Sequence, residues 1–155
     1  MVAAIDNDFA VATEKRDRLL FQRWCTMTGC FSWTGSTGKG DAYDVKGMLR
    51  DGRECMVELK YRDVAHDKYD DVMIEADKLA DGLMYWHLSG LTPLYICLYN
   101  DGWTGVFNLT TISQPRKDKV RRKNPGVDNR LVESATYFLS AMDGVFYDDG
   151  GRVYK

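Results

Sequence analysis

Between Tyr43 and Tyr61 apolar and polar residues alternate along two runs, interrupted by Arg50-Asp51-Gly52. Two alternating runs around a short polar turn predict a β-hairpin. With a three-residue loop and Gly52 in its left-handed position, Asp44 faces Glu58 and Lys46 faces Met56. That register puts Tyr43, Val45, Leu49, Cys55, Val57, Leu59 and Tyr61 on one face and Asp44, Lys46, Glu58 and Lys60 on the other. A two-residue Asp51-Gly52 turn would slip the pairing by one and set Asp44 among the hydrophobic side chains, which is costly for a carboxylate. Two carboxylates and a lysine therefore converge on one face.

The rest of the chain supplies flanking elements. From about Asp8 to Thr28, Leu20, Trp24 and Met27 recur at helical spacing with Phe21 and Cys25 beside them, and Gly29 is a stop. Glu14 lies on the edge of this stripe, where it either leans over the surface the helix packs on or is a solvated first-turn glutamate. Cys30 to Thr34 reads as a short strand, and the glycine-rich segment 35–41 as a flexible loop. That loop is not a Walker motif, because no glycine stands five before Gly38 and Gly40 follows Lys39; a phosphate contact from Lys39 remains open. Asp70 or Asp71 is expected to cap a second helix running to about Leu88. Its buried face is Val72, Ala76, Leu79, Leu83 and Trp86, with Met73, Ala80 and Met84 beside it and Glu75 and Lys78 on the flank. Pro93 to Tyr99 is apolar on both faces, as in a doubly covered strand, and Asn100-Asp101-Gly102 turns it into Trp103 to Leu109. Leu131 to Leu139 fits strand or helix, and Val145 to Tyr154 forms a final hairpin. The order helix, three strands, helix, two strands predicts an α/β sandwich with a mixed sheet.

Length and composition restrict the picture. The 155 residues, 45% hydrophobic and 28% charged, fit one folded domain, with a basic segment 116–123 and a C-terminal hairpin extension 145–154. No apolar run approaches a membrane span and the N-terminus lacks a signal-peptide plan, so a cytoplasmic protein without a membrane partner is expected. Cys25, Cys30, Cys55 and Cys97 stand among apolar neighbours with no CxxC pair and are read as buried thiols. The formal net charge is only -2, yet Arg116, Lys117, Lys119, Arg121, Arg122 and Lys123 concentrate six positive charges in eight residues. Such a patch on an acidic chain points to a polyanion, against the alternative of a solvated basic loop. His66 and His87 are the only histidines, which excludes a three-histidine metal site, and the four tryptophans fit element faces as core residues.

Hydrolysis of a phosphodiester needs a deprotonated water and stabilisation of an anionic transition state. A hard divalent ion supplies both from one or two carboxylates, waters and substrate phosphate. Asp44 and Glu58 are the candidate carboxylates and the Leu59 main-chain carbonyl a further ligand, while Lys60, on the same face as Glu58, places a positive charge at the phosphate. Asp41 rivals Asp44 but lies in the loop outside the alternating strand.

Asp44, thirteen intervening residues and Glu58-Leu59-Lys60 resemble the signature of the PD-(D/E)xK, restriction-endonuclease-like nuclease superfamily. The resemblance runs from about Glu14 to Leu109 and implies an α-β-β-β-α-β core with a central mixed sheet flanked by helices. It implies Asp44 and Glu58 as Mg²⁺ or Mn²⁺ ligands, Lys60 as the catalytic lysine, Glu14 as the accessory acid of the first helix, and Lys78 as the basic residue of the second. Tyr43 departs from the pattern, which has proline before the first acid. The implied activity is a metal-dependent DNA endonuclease of the restriction or Holliday-junction-resolvase kind, acting alone or as a homodimer. A phage or mobile-element source would suit a small member without a recognition domain. Lys39, Lys46, Lys78 and the basic residues 116–123 are the expected DNA contacts. The competing readings are a non-catalytic nucleic-acid-binding module on this fold and an interaction protein whose charged face is only solvated.

Overall fold

The computed structural model describes residues 2–36, 43–123 and 131–154, with side chains over 15–32, 43–120 and 134–154. Helix α1 (Val2–Thr28) is followed by strands β1 (Phe31–Ser36), β2 (Val45–Leu49), β3 (Glu54–Arg62) and β4 (Asp71–Glu75), then helix α2 (Ala76–Ser89). Strands β5 (Thr92–Tyr99), β6 (Thr104–Asn108), β7 (Arg116–Lys123) and β8 (Leu131–Ser140) come next, and β9 (Val145–Tyr147) and β10 (Val153–Tyr154) close the chain. Among the described residues, seven strands form one sheet in the order β1-β2-β3-β5-β6-β9-β10, and β4-β8-β7 form a smaller one. The fold is mixed α/β. Its large sheet is antiparallel except at β3 and β5, which run parallel from Cys55 beside Thr92 to Arg62 beside Tyr99. A parallel neighbour cannot be reached by a hairpin, and β4 and α2 make the crossover. The α-β-β-β-α-β order is complete with β4 as an insertion before α2.

The two faces of the large sheet hold separate cores. Phe21 and Trp24 of α1 pack on Val45, Cys55, Val57, Leu94, Ile96 and Leu98. The other residues of β5, Tyr95, Cys97 and Tyr99, join Phe107, Leu109, Leu79 of α2, and Val72, Ile74 and Leu139 of the small sheet. Every residue of β5 is buried, as a strand covered on both sides requires. The predicted hairpin turns are present, with Gly52 at φ 90°, Gly102 at φ 85° and Gly151 at φ 79°.

Several expectations shift. The first helix starts earlier, at Val2, and the second later, at Ala76. Residues 71–75 form a strand because Val72 and Ile74 are buried at a spacing of two while Met73 points outward; that β-branched alternation prevails over the helical reading of Val72 and Ala76. On α2 only Leu79 is buried, and Met84 and Trp86 are exposed rather than in the core. Gly90 ends this helix in the left-handed conformation, its N–H donating to the Trp86 carbonyl. Segment 131–140 is strand, and the basic segment 116–123 is its partner. Cys55 and Cys97 are buried, Cys25 and Cys30 half-buried, and all four are free thiols. Among the described residues no helix is long and apolar enough to cross a membrane.

Gly47 in β2 gives a direct test of the sheet. A Cβ there would collide with the Ser32 carbonyl oxygen and the Phe31 ring, and neither backbone nor buried ring has room to retreat. Gly47→Ala is expected to cost about 3 kcal/mol, read as a fall in the urea midpoint at unchanged slope.

Candidate active site

The hairpin forms in the expected register, with Val45 opposite Val57 and Lys46 opposite Met56, and the Leu49 N–H closing the loop onto the Arg53 carbonyl at 2.9 Å. Asp44 stands just beyond the ladder. Its N–H donates to the Val57 carbonyl at 2.9 Å, so Asp44 and Val45 both answer to Val57 and the strict alternation ends there. Tyr43 consequently leaves the α1 face where alternation had placed it, and its ring meets Tyr85 of α2 edge-on at 6.0 Å. The Asp44 carboxylate accepts the Leu59 N–H at 2.8 Å. The backbone groups of a strand point alternately to its two neighbours, so the Leu59 carbonyl is directed to the same edge as its N–H, toward Asp44.

Glu58 projects from β3 on the face away from α1. One carboxylate oxygen lies 3.4 Å from Lys78 Nζ of α2. The other, Oε2, is buried with no hydrogen-bond partner among the described residues. Burial and then the negative charge of Asp44 push Glu58 up to about 7, against the opposing pull of Lys78 and Lys60. Burial alone would pull Lys78 down, but the charge and hydrogen bond of Glu58 outweigh it and raise the ammonium. Lys60 and Arg62 follow at two-residue steps, and Glu58, Lys60, Arg62, Glu75, Lys78 and Tyr95 line a cleft of about 150 Å³ between the large sheet, α2 and the small sheet. The two carboxylates and the Leu59 carbonyl are the groups that could hold a cation. An orphaned, buried carboxylate oxygen beside a second carboxylate is an oxygen donor set that a hard divalent ion satisfies.

Asp17 on α1 was not singled out from the sequence. Burial raises its carboxyl against the lowering effect of Arg16, and the charges of Lys60 and Asp44 both act on it, which brings α1 to the edge of the cluster. It lies three residues beyond Glu14 on the same helix face, so the periodicity that marked Glu14 marks Asp17 equally. The Glu14 side chain, Lys39 and Asp41 lie outside the described residues, as do the side chains of Arg121, Arg122 and Lys123. Lys46 is exposed on β2. The basic segment is a strand, so its charges are divided between two faces. Arg116 is engaged by Asp71 and Asp118 and covers the Phe138 ring at 4.1 Å. Lys117 sits over Tyr137, and Lys117 and Lys119 are exposed.

A second set of ligand-type groups, His66, Asp67 and Asp101, meets beyond the end of β3. His66 Nδ1 is 2.7 Å from Asp101, its ring stacks on Trp103 at 3.7 Å, and the Asp101 carboxylate also accepts the His66 and Trp103 N–H groups. These contacts pin the 63–70 loop to the β5–β6 turn. Asp101 is 35 residues from His66 in sequence, too far for any spacing motif to reveal.

The raised Glu58 carboxyl fixes the sign of a pH effect. Below 4.5, its ordinary value, folded and unfolded chains both hold the proton. Between 4.5 and about 7 only the folded chain does, so stability falls as pH rises through that window and levels off above it. In chelator, Glu58→Gln is expected to remove this slope, with the difference in unfolding free energy from wild type changing by on the order of 2 to 3 kcal/mol between pH 4.5 and 8. Parallel curves for the two proteins in denaturant titrations would show that Glu58 is ionised at an ordinary pH.

No protein-family model matches the chain, and no curated protein matches it in sequence. Among solved structures it is similar to Hjc, a Holliday junction resolvase from the archaeal hyperthermophile Archaeoglobus fulgidus, at a TM-score of 0.47 and 10% identity over 79% of this chain and 85% of that one.

Proposed function

We propose that the protein is a divalent-metal-dependent DNA endonuclease. The observation that carries the reading is the Glu58 carboxylate: half-buried, with one buried oxygen short of a partner among the described residues, and under the opposing charges of Asp44 and Lys78 on the strand that also carries Lys60. Groups with strongly shifted ionisation in a cleft, each with an identifiable charged perturber, mark candidate functional sites. Asp44, Glu58 and the Leu59 carbonyl would hold Mg²⁺ or Mn²⁺, which supplies a water of lowered pKa and charge neutralisation at the phosphate. The Leu59 N–H fixes the Asp44 carboxylate, and Lys78 fixes one oxygen of Glu58, leaving Oε2 for the cation. Lys60, exposed at the mouth, brings its ammonium to the scissile phosphate, where negative charge grows in the transition state. DNA is the proposed partner, with the strand β7 cations on its phosphates. The Lys78–Glu58 pair also neutralises the acid without a metal, which favours as second reading a nucleic-acid-binding module that does not cut.

Incubation with single-stranded, duplex and branched DNA in Mg²⁺, Mn²⁺ or chelator separates the two. Lys60 is exposed and its removal opens no cavity, so Lys60→Ala is expected to lower the cleavage rate by roughly 10² to 10³ while metal-induced thermal stabilisation survives. Asp44→Asn removes a ligand charge, and cleavage and metal stabilisation should fall together. Wild-type protein that cuts neither DNA nor RNA in Mn²⁺ leaves only the binding module. If Lys60→Ala cuts as wild type does, Lys46 is the lysine to test.

Binding in chelator measures the basic strand separately. Lys117→Ala with Lys119→Ala is expected to reduce the slope of log affinity against log salt by about 2, one per lost phosphate contact. An unchanged slope assigns these lysines to solubility.

A further inference from the structure

A larger cavity of about 510 Å³ opens beside the Glu58 cleft, between the end of β3, the 63–70 loop, β4 and β8. Its walls are mainly aromatic and apolar, including Tyr69, Tyr99, Phe138 and Val72, and its charged and ring-nitrogen groups are Arg62, Asp63, His66 and Asp71. Arg62 and Met73 line both this cavity and the Glu58 cleft, so the two spaces meet at one guanidinium. Arg62 stands four residues beyond Glu58, about 13 Å along the strand, within reach of neighbouring nucleotides of a single strand. Its Nη2 donates to the Tyr95 hydroxyl at 2.7 Å and to the Met73 carbonyl; its buried Nε makes no hydrogen bond of ordinary geometry among the described residues, although the Cys97 thiol acts on the guanidinium as an acceptor. The half-buried guanidinium sets a fixed positive charge where the two spaces meet, and a phosphate oxygen suits its planar fork. At the rim Arg116 lies over Phe138 and reaches Asp71, adding a second cation. The volume is in the range of small-ligand pockets with apolar walls and a few polar groups. Aromatic walls accept the π-face of any base, and the two aspartates can accept hydrogen bonds from a base edge.

We propose that this cavity receives one unpaired nucleotide of the substrate strand, its base among Tyr69, Tyr99 and Phe138 and its phosphate on Arg62, adjoining the nucleotide whose phosphate lies in the Glu58 cleft. The assignment rests on the nuclease reading for the position of the strand, and it makes the site selective for nucleic acid with an unpaired base, since a base held in a duplex stack cannot enter.

Its test needs no catalysis. A single-stranded oligonucleotide carrying the fluorescent base 2-aminopurine at successive positions is titrated with protein in chelator. One position is expected to change emission on binding, as its base leaves its neighbours for the tyrosine and phenylalanine walls. Ala65→Trp, which fills the cavity from the loop, should abolish that signal and weaken binding about tenfold; Tyr69→Ala, an exposed position that folding tolerates, should weaken it several-fold. A uniform response at all positions, or titrations of Tyr69→Ala and a natively folded Ala65→Trp that match wild type, overturns the proposal. So does binding of 2-aminopurine ribonucleoside monophosphate alone with no position-specific signal in the strand, which would make the cavity a site for a free nucleotide. The nuclease reading is judged apart from this, by cleavage in Mn²⁺. Wild-type cutting with an unaffected Ala65→Trp would leave the enzyme standing and remove the pocket, while a position-specific signal in a protein that does not cut would do the reverse.

Discussion

Strand β3 is hydrogen-bonded along both edges, antiparallel to β2 and parallel to β5, and α1 packs on one of its faces. Held on three sides, it has no freedom in the direction of its side chains. Val57 and Leu59 fill the α1 core, and Glu58, Lys60 and Arg62 must therefore project from the opposite face into the space under α2 and the small sheet. A slip of one residue would drive three charges into the core and expose its apolar residues, an exchange far beyond the stability of a domain this size. The spacing of the three charges is set by the pleat, and the packing of Phe21 and Trp24 on Val57 is part of what positions Lys60.

The cleft is also an electrostatic unit. Asp44, Lys60 and Lys78 act on the ionisation of Glu58, Glu58 and Asp44 on that of Lys78, and Lys60 and Asp44 on that of Asp17 at its edge, although these groups come from α1, the β2 entry, β3 and α2. Two acids close together in a half-buried site cannot both be ionised without compensation, and here burial and Asp44 together hold Glu58 near 7. A divalent cation bound as proposed would add the positive charge that the two lysines supply only in part, and its binding would be coupled to the loss of the Glu58 proton.

From Val45 onward the hairpin was legible residue by residue because three local signals agree: alternation, a glycine for the left-handed turn position, and the penalty for burying Asp44. Strand β5 was legible from its unbroken apolar run. Strand β4 was not, since Val72 and Ile74 are buried by pairing with β8, some 65 residues away, and at short range the same residues also fit a helix. Trp86 and Met84 fail as core residues for the related reason that periodicity marks which residues share a face and not whether anything covers it. The basic segment was visible as charge but not as a strand, because its partner Leu131–Ser140 gave no helix-or-strand decision of its own. Arg62 and Asp17 escaped notice because their importance lies in contacts with Tyr95, Met73, Lys60 and Asp44, on elements that only the fold brings together.

A purely structural role for the charged face accounts poorly for its composition. An ion pair at the boundary of a core rarely repays its desolvation, and an apolar pair of similar volume would usually hold β3 to α2 as well or better. The cleft here goes further from the structural optimum: among the described residues Oε2 of Glu58 is buried without a partner, and four residues on along the same strand face the buried Nε of Arg62 makes no hydrogen bond of ordinary geometry, with the Cys97 thiol acting on its guanidinium. The two atoms are of opposite kind, an acceptor and a donor, and they do not satisfy each other. A phosphodiester bound with a metal ion, as proposed, would set a cation at Glu58 and a phosphate oxygen at Arg62, so that a single ligand would answer to both ends of this strand face.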